Sequence, residues 1–198
     1  MASGFNISTF KTRGLQYGGV RPTLFEVYLT PPPGVGADQN SQDKFRFTCR
    51  GAALPAATIQ AIDVGYFGRK IKVQGDRTFA DWTVTVMNDE DFLVRSMFEK
   101  WSNALNRLES NIRDPNFALD ENSYKSDLSV IQYGKDGSLI RQYDIIGAFP
   151  TNVSEIALDW DTTNQIETFQ VTFAYDYWLP AVEDVNAYLS DAQDPVAT

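Results

Sequence analysis

Asp159 and Asp161 stand at strand spacing on either side of Trp160, an arrangement that could serve hydrolysis as a carboxylate acid–base pair. The run Thr162-Thr163-Asn164 that follows gives the same residues a simpler reading, a turn between two strands. Asn88-Asp89-Glu90-Asp91 offers oxygen ligands to a cation. It lacks the central glycine and distal glutamate of a calcium loop, and capping of a following helix accounts for it. Gly75-Asp76-Arg77-Thr78 superficially resembles a phosphate loop, but it has no Gly-Lys-Ser/Thr ending and no helix directly after it. Cys49, the single cysteine, has no base beside it in sequence and reads as a small buried hydrophobe.

The chain has no histidine, which removes the side chain best suited to proton transfer near neutrality and with it most catalytic triads and imidazole metal sites. One cysteine permits no intrachain disulfide and no multi-thiolate zinc site. No catalytic residue, cofactor or metal is therefore expected, and the chain reads as something other than an enzyme. At 198 residues it is long enough for one large domain with a core of its own. Its net charge of −9 is unevenly placed: no Lys or Arg follows Arg141, whereas ten acids do. A domain that grips nucleic acid needs a basic surface to displace counterions, so that class is disfavoured. No signal peptide is expected from residues 1–5, and no apolar run approaches the ~20 residues of a membrane span.

Any such side chains must be held by a scaffold, and the pattern for that scaffold is mainly β. Residues 1–22, polar and glycine-bearing, read as an N-terminal arm; 23–180 read as one β domain; 181–198 read as an acidic tail with a short helix after Pro180. Residues 23–30 form an expected strand, ended by Pro31-Pro32-Pro33-Gly34 and a polar loop to residue 42. Phe45 and Phe47 alternate with polar neighbours, predicting a second strand. Residues 54–57 read as a loop, 59–64 and 71–73 as strands separated by Gly65-Tyr66-Phe67-Gly68, Gly75-Asp76 as a turn, and 82–86 as a strand with Trp82, Val84 and Val86 on one face. Val94, Phe98, Trp101, Leu105 and Leu108 recur at helical spacing after the possible caps Asn88 and Asp89. Residues 128–133 and 139–146 form an expected hairpin about Asp136-Gly137. Ile156, Leu158 and Trp160 alternate, and residues 165–178 predict a long strand with Phe169, Val171, Phe173, Tyr175 and Tyr177 on one face. The sum is about eight strands and one flanking helix.

Three stretches together resemble the tail tube proteins of contractile-tailed, T-even-like bacteriophages. They are Gly18-Gly19-Val20-Arg21-Pro22-Thr23-Leu24-Phe25; the run from Gly68-Arg69-Lys70-Ile71-Lys72-Val73 through Trp82-Thr83-Val84-Thr85-Val86 to Asn88-Asp89; and Phe149-Pro150 with Ile156 to Asp161, Ile166 to Phe173 and Tyr175-Asp176-Tyr177-Trp178. The resemblance spans nearly the whole chain, with residues 31–42 and the tail after Pro180 less familiar.

The resemblance implies a tail-tube-type β-barrel or sandwich whose six copies close into a ring, the rings stacking into a hollow tube inside a contractile sheath. Viral DNA would pass through without specific binding. The implied partners are the chain itself, the sheath protein, and baseplate and tail terminator proteins, with no membrane. The implied location is the virion tail, after assembly in the host bacterial cytoplasm. Joining sheets around a ring would also remove exposed strand edges, which otherwise invite aggregation. The expected subunit interface is Tyr17, Arg21, Leu54, Pro55, Gly75, Asp76, Arg77 and Phe79. The expected lining of an acidic lumen is Thr168, Gln170, Thr172 and Asp176, from the small polar face of the last long strand. The alternatives are a tube subunit of an injection system, a baseplate tube-initiator, a monomeric β-sandwich binding module, and a hydrolase using Asp159 and Asp161.

Overall fold

The computed structural model describes residues 7–15, 18–35, 39–115 and 123–181. A short helical segment comes first, α1 (Ile7–Thr9) continuing as a π-helical turn to Gly14. Then follow β1 (Phe25–Leu29), α2 (Gln39–Thr48), β2 (Cys49–Ala52), β3 (Ala57–Tyr66), β4 (Arg69–Phe79), β5 (Trp82–Met87) and α3 (Leu93–Leu105). The chain ends its described part with β6 (Ser126–Tyr133), β7 (Leu139–Val153), β8 (Thr168–Ala174) and β9 (Tyr177–Ala181). The order β1-β6-β7-β8-β5-β2 forms one sheet path, with β9 also paired to β7, and every pairing is antiparallel. β3 and β4 pair only with each other.

The core forms where β8 and β5 turn their apolar faces toward α3. Trp82, Val84 and Val86 alternate inward on β5, as do Phe169, Val171 and Phe173 on β8. On α3 the buried set is Val94, Met97, Phe98, Trp101 and Ala104, one stripe at helical period. Phe98 meets Phe45, Phe169 and Phe173 edge-on at 5.5, 6.5 and 5.9 Å. Such edge contacts add roughly 0.5–1.5 kcal/mol each beyond the area they bury.

β7 serves both halves of the sheet. Residues 139–148 pair with β6, residues 142–146 also take β9 on the other edge, and residues 149–153 pair with β8. The switch falls at Gly147, whose φ is +69° and whose missing side chain makes room for the Asp176 carboxylate. Its N–H donates to Asp127 Oδ1 at 3.0 Å, so the break in the ladder leaves no orphan donor there.

Several expectations are corrected. Phe45 and Phe47 lie on a helix, not a strand. Phe45 is fully buried and Phe47 72 % exposed, which a common strand face forbids, while Ser41 and Phe45, four apart, are both buried. Two phenylalanines are too few to fix a period, and packing on Phe98 decides it. The Gly75-Asp76 turn is absent: β4 runs straight through, and the reversal occurs at Phe67 and Gly68, both at positive φ as a tight hairpin turn requires. Gly75 instead lies in a bulge of β4, where Gly75 and Asp76 together face Gln60, and a Cβ on it would come within 2.9 Å of the Gln60 carbonyl oxygen. Residues 156–160 form no strand, and the expected long strand breaks at Tyr175-Asp176 into β8 and β9. The described residues form nine strands, with the ten-residue α2 beside α3. The helix expected after Pro180 lies outside the described residues, and Pro180 itself is in β9.

Candidate assembly surface

The residues with chemical potential are each used for structure. Asp159 and Asp161 sit in a turn: the Asp161 N–H donates to Asp159 Oδ1 at 3.0 Å and the Thr162 N–H to the Asp159 carbonyl at 3.3 Å. Trp160 at its tip is wholly exposed. Asp89 and Asp91 both clasp the Lys44 ammonium, which joins α2 to the start of α3. A hydrogen bond from Lys44, first, and a backbone N–H hold each carboxyl below its ordinary range, and the two carboxylates raise Lys44 in turn. Asp91 Oδ1 also accepts from the Leu93 N–H, the first of α3, whose N-cap position is Phe92 at φ +51° rather than the Asn88 or Asp89 expected from sequence. Among the described residues no cluster of metal-ligating side chains occurs. Cys49 is buried, and that burial pushes its thiol up to about 12.

A second polar cluster ties the first strand down. Glu26 Oε2 accepts from Tyr28 and Tyr133 hydroxyls, each at 2.9 Å, and from Arg46 at 2.8 Å. Burial alone would raise Glu26, but the bonds from Arg46, Tyr28 and Tyr133 together hold it below its ordinary value. The Arg46 guanidinium also lies over the Tyr28 ring at 4.6 Å. This is a brace between α2, β1 and β6.

The surface carries two further features. The first is the β3–β4 ribbon. Its register pairs Ile62 with Val73 and Val64 with Ile71, so these four side chains share one face. Asp63 pairs with Lys72 and contacts Lys70 at 3.8 Å on the other. The apolar face is open to water: Ile62, Val64, Ile71 and Val73 are between 43 % and 54 % exposed, and Phe67 at the tip is 92 % exposed. Among the described residues the ribbon is tied to the rest of the chain at its root. There Trp82 Nε1 donates to the Ala53 carbonyl at 2.6 Å, Trp178 Nε1 donates to Ala56 at 3.4 Å, and Phe79 packs on Tyr175.

Five of the expected interface residues gather at that root: Leu54 (exposed), Gly75, Asp76, Arg77 and Phe79, with Pro55 buried beside them. Arg21 lies apart, exposed near the β6–β7 turn, and Tyr17 is outside the described residues. The apolar ribbon face itself was missed, although the alternations Ile62-Asp63-Val64 and Ile71-Lys72-Val73 carry its signal.

The second feature is the outer face of β5 and β8. Thr83, Thr85 and Met87 stand opposite Thr172, Gln170 and Thr168, and the Thr83 and Thr172 hydroxyls are bonded at 3.1 Å. Three of the four expected lumen residues therefore share one uncharged, hydroxyl-rich face. The fourth, Asp176, lies past the end of β8 and is paired to Lys125 at 2.9 Å.

The antiparallel β fold with its open apolar ribbon presents, among the described residues, a surface suited to assembly. Residues 20–181 match the family model described as phage tail tube protein, and the chain belongs to that family. It is similar to tail tube protein gp19 of Enterobacteria phage T4, with 42 % identity over 169 residues, 84 % of this chain and 96 % of the relative. In fold it is similar to a chain of the anti-feeding prophage baseplate, with TM-score 0.57, 11 % identity, and 84 % and 98 % of the two chains covered. It is also similar to a chain of the sheath-tube complex of an extracellular contractile injection system, PVC, in its extended state. There the TM-score is 0.53 at 14 % identity, with 89 % and 98 % covered. As a phage tail tube protein the chain is a virion component and not an enzyme.

Proposed function

We propose that this chain forms the inner tube of a contractile phage tail, as homohexameric rings stacked into a hollow conduit for viral DNA, assembled in the host cytoplasm. The observation that carries the reading is the unpartnered apolar face of the β3–β4 ribbon. Two strands alone are marginally stable in water, and a ribbon with Ile62, Val64, Ile71 and Val73 uncovered calls for a partner surface. The partner in this reading is a neighbouring copy, with the ribbon root at Leu54, Pro55 and Gly75 to Phe79 as the joint and Arg21 as a separate contact. The edges of β1, β2 and β9, unpaired among the described residues, support closure of the sheets around a ring.

The β5–β8 face, with Thr168, Gln170 and Thr172, would line the tube. Its hydroxyls and amides are wetted by water and offer phosphate no cation. The net −9 of each chain, multiplied sixfold, supplies the acidic field of the conduit. The sheath, baseplate and terminator proteins are the expected partners, and the relation to tubes of injection systems is one of fold. Negative-stain electron microscopy of the purified protein across a concentration series tests this. Six-fold rings or tubes are expected, whereas particles that stay monomeric even with baseplate partners supplied would overturn the reading.

A further inference from the structure

The β6–β7 turn and the N-terminal segment enclose an open groove of about 750 Å³. Its cations are Arg13, Arg21 and Lys135, all exposed, and none of them forms an ion pair among the described residues. Its apolar floor is Leu15, Val20 and Ile140, between 44 % and 54 % exposed. The one acid on its rim, Asp136, is occupied by the N–H and hydroxyl of Ser138.

The connection between β7 and β8 has the complementary character. Residues 154–167 carry Glu155, Asp159, Asp161 and Glu167 and no Lys or Arg. The turn at Asp159–Thr162 pushes Trp160 fully into solvent, with Leu158 81 % exposed beside it. An exposed tryptophan flanked by two carboxylates is a costly surface for an isolated chain and a typical anchor for a partner.

These two features occupy opposite ends of the same strand. The groove lies where β7 begins, at Leu139, and the Trp160 turn lies beyond its end, at Val153. Between them runs the fifteen-residue β7, which bends from one half of the sheet to the other at Gly147. None of residues 154–167 lines the groove of its own chain, so knob and socket are left unmatched there. Between copies they make a head-to-tail contact, which repeats rather than closing into a two-fold dimer.

We infer that the Asp159-Trp160-Asp161 turn of one copy docks into the Arg13, Arg21 and Lys135 groove of the next. Trp160 meets Leu15, Val20 and Ile140, while the two carboxylates meet the groove cations. The contact rests on the self-assembly reading above and adds to it a defined partner surface distinct from the ribbon. Charge complementarity steers the encounter, and the buried tryptophan holds it.

The test mixes two full-length variants, Ile140→Cys and Leu158→Cys, assembles them together, and oxidises with copper phenanthroline. A disulfide-linked dimer that forms from the mixture, and from neither variant alone, is expected. Buried Cys49 remains in place, and wild type serves as its control. In parallel, the double substitution Asp159→Lys with Asp161→Lys should raise the concentration at which tubes appear tenfold or more, with the circular dichroism spectrum of the wild type. Adding Arg21→Glu and Lys135→Glu to it should restore assembly. Tubes that form normally from the charge-reversed variant, or that yield no 140–158 cross-link, would overturn this contact and leave the tube reading standing. A wild-type chain that never assembles would overturn both.

Discussion

Lys44 holds two carboxylates at once, Asp89 and Asp91, and so locks α2 against the first turn of α3. The acids are held below their ordinary pKa and the lysine above. The acids' contribution is therefore fully present above about pH 4, the unfolded carboxylate value, and is lost as pH falls through their lowered folded values. That of Lys44 is fully present below its unfolded value of about 10.4 and is lost only as pH rises through the raised one. Lys44→Met should lower the melting temperature modestly at pH 7, because all three groups are near the surface and water screens them. The difference from wild type should shrink toward zero by about pH 2, in thermal melts followed by circular dichroism. A gap that persists at pH 2 would mean that Lys44 acts through its methylenes rather than its charge. The sequence offered Asn88 to Asp91 as a cap or a cation site, and the cation turned out to be a lysine 45 positions earlier than Asp89. No local pattern could announce that partner, since helix α2, which delivers it, was itself hidden by the Phe45-Arg46-Phe47 alternation.

At the scale of elements, legibility follows how many residues vote for a period. β5, β8 and α3 each carry at least three inward side chains, and the inward sets Trp82, Val84 and Val86, Phe169, Val171 and Phe173, and Val94, Phe98 and Trp101 were legible. Leu108, expected on the helical stripe, lies past the end of α3 and is 91 % exposed, and Tyr177, expected on the same face as Phe169, belongs to β9. The β6–β7 turn was placed by Asp136-Gly137, where Gly137 takes φ +79°. Glycines misled where their role was close approach rather than reversal, as at Gly75. Gly147 was passed over because nothing local marks it, yet β7 depends on it to move from one half of the sheet to the other. Gly147→Ala would place a Cβ against the Asp176 carboxylate and strain a backbone at φ +69°. A loss of about 1–3 kcal/mol in urea unfolding is expected, with the Lys125–Asp176 pair displaced. An unchanged unfolding midpoint would show that β7 can make the switch without a left-handed residue.

The molecule as a whole divides its surface between faces that seek a partner and one that must avoid one. The ribbon belongs to the first kind. Ile62→Lys with Val73→Glu, which leaves an opposite-charge pair across the ribbon, should change the stability of the monomer by no more than about 0.5 kcal/mol, since both side chains are already half exposed. It should nevertheless prevent ring formation, as read by sedimentation velocity and electron microscopy. The β5–β8 face is the second kind. Gln170 is exposed there amid threonines, and Gln170→Lys would introduce one cation per copy, which in the proposed hexameric tube makes a ring of six at each level. Tubes should still form, because the substitution touches neither the ribbon nor the strand edges. A DNA phosphate moving through would then meet repeated cationic rings and exchange counterions with them. Phage carrying Gln170→Lys should therefore eject DNA more slowly at low ionic strength and recover as salt is raised, whereas Gln170→Glu should eject at the wild-type rate under both conditions. Equal rates for all three at low salt would place this face away from the DNA, on the outer wall or within a subunit contact. The two substitutions differ only in the sign of one charge, so a divergence between them assigns the lumen without any loss of folding to confuse the reading.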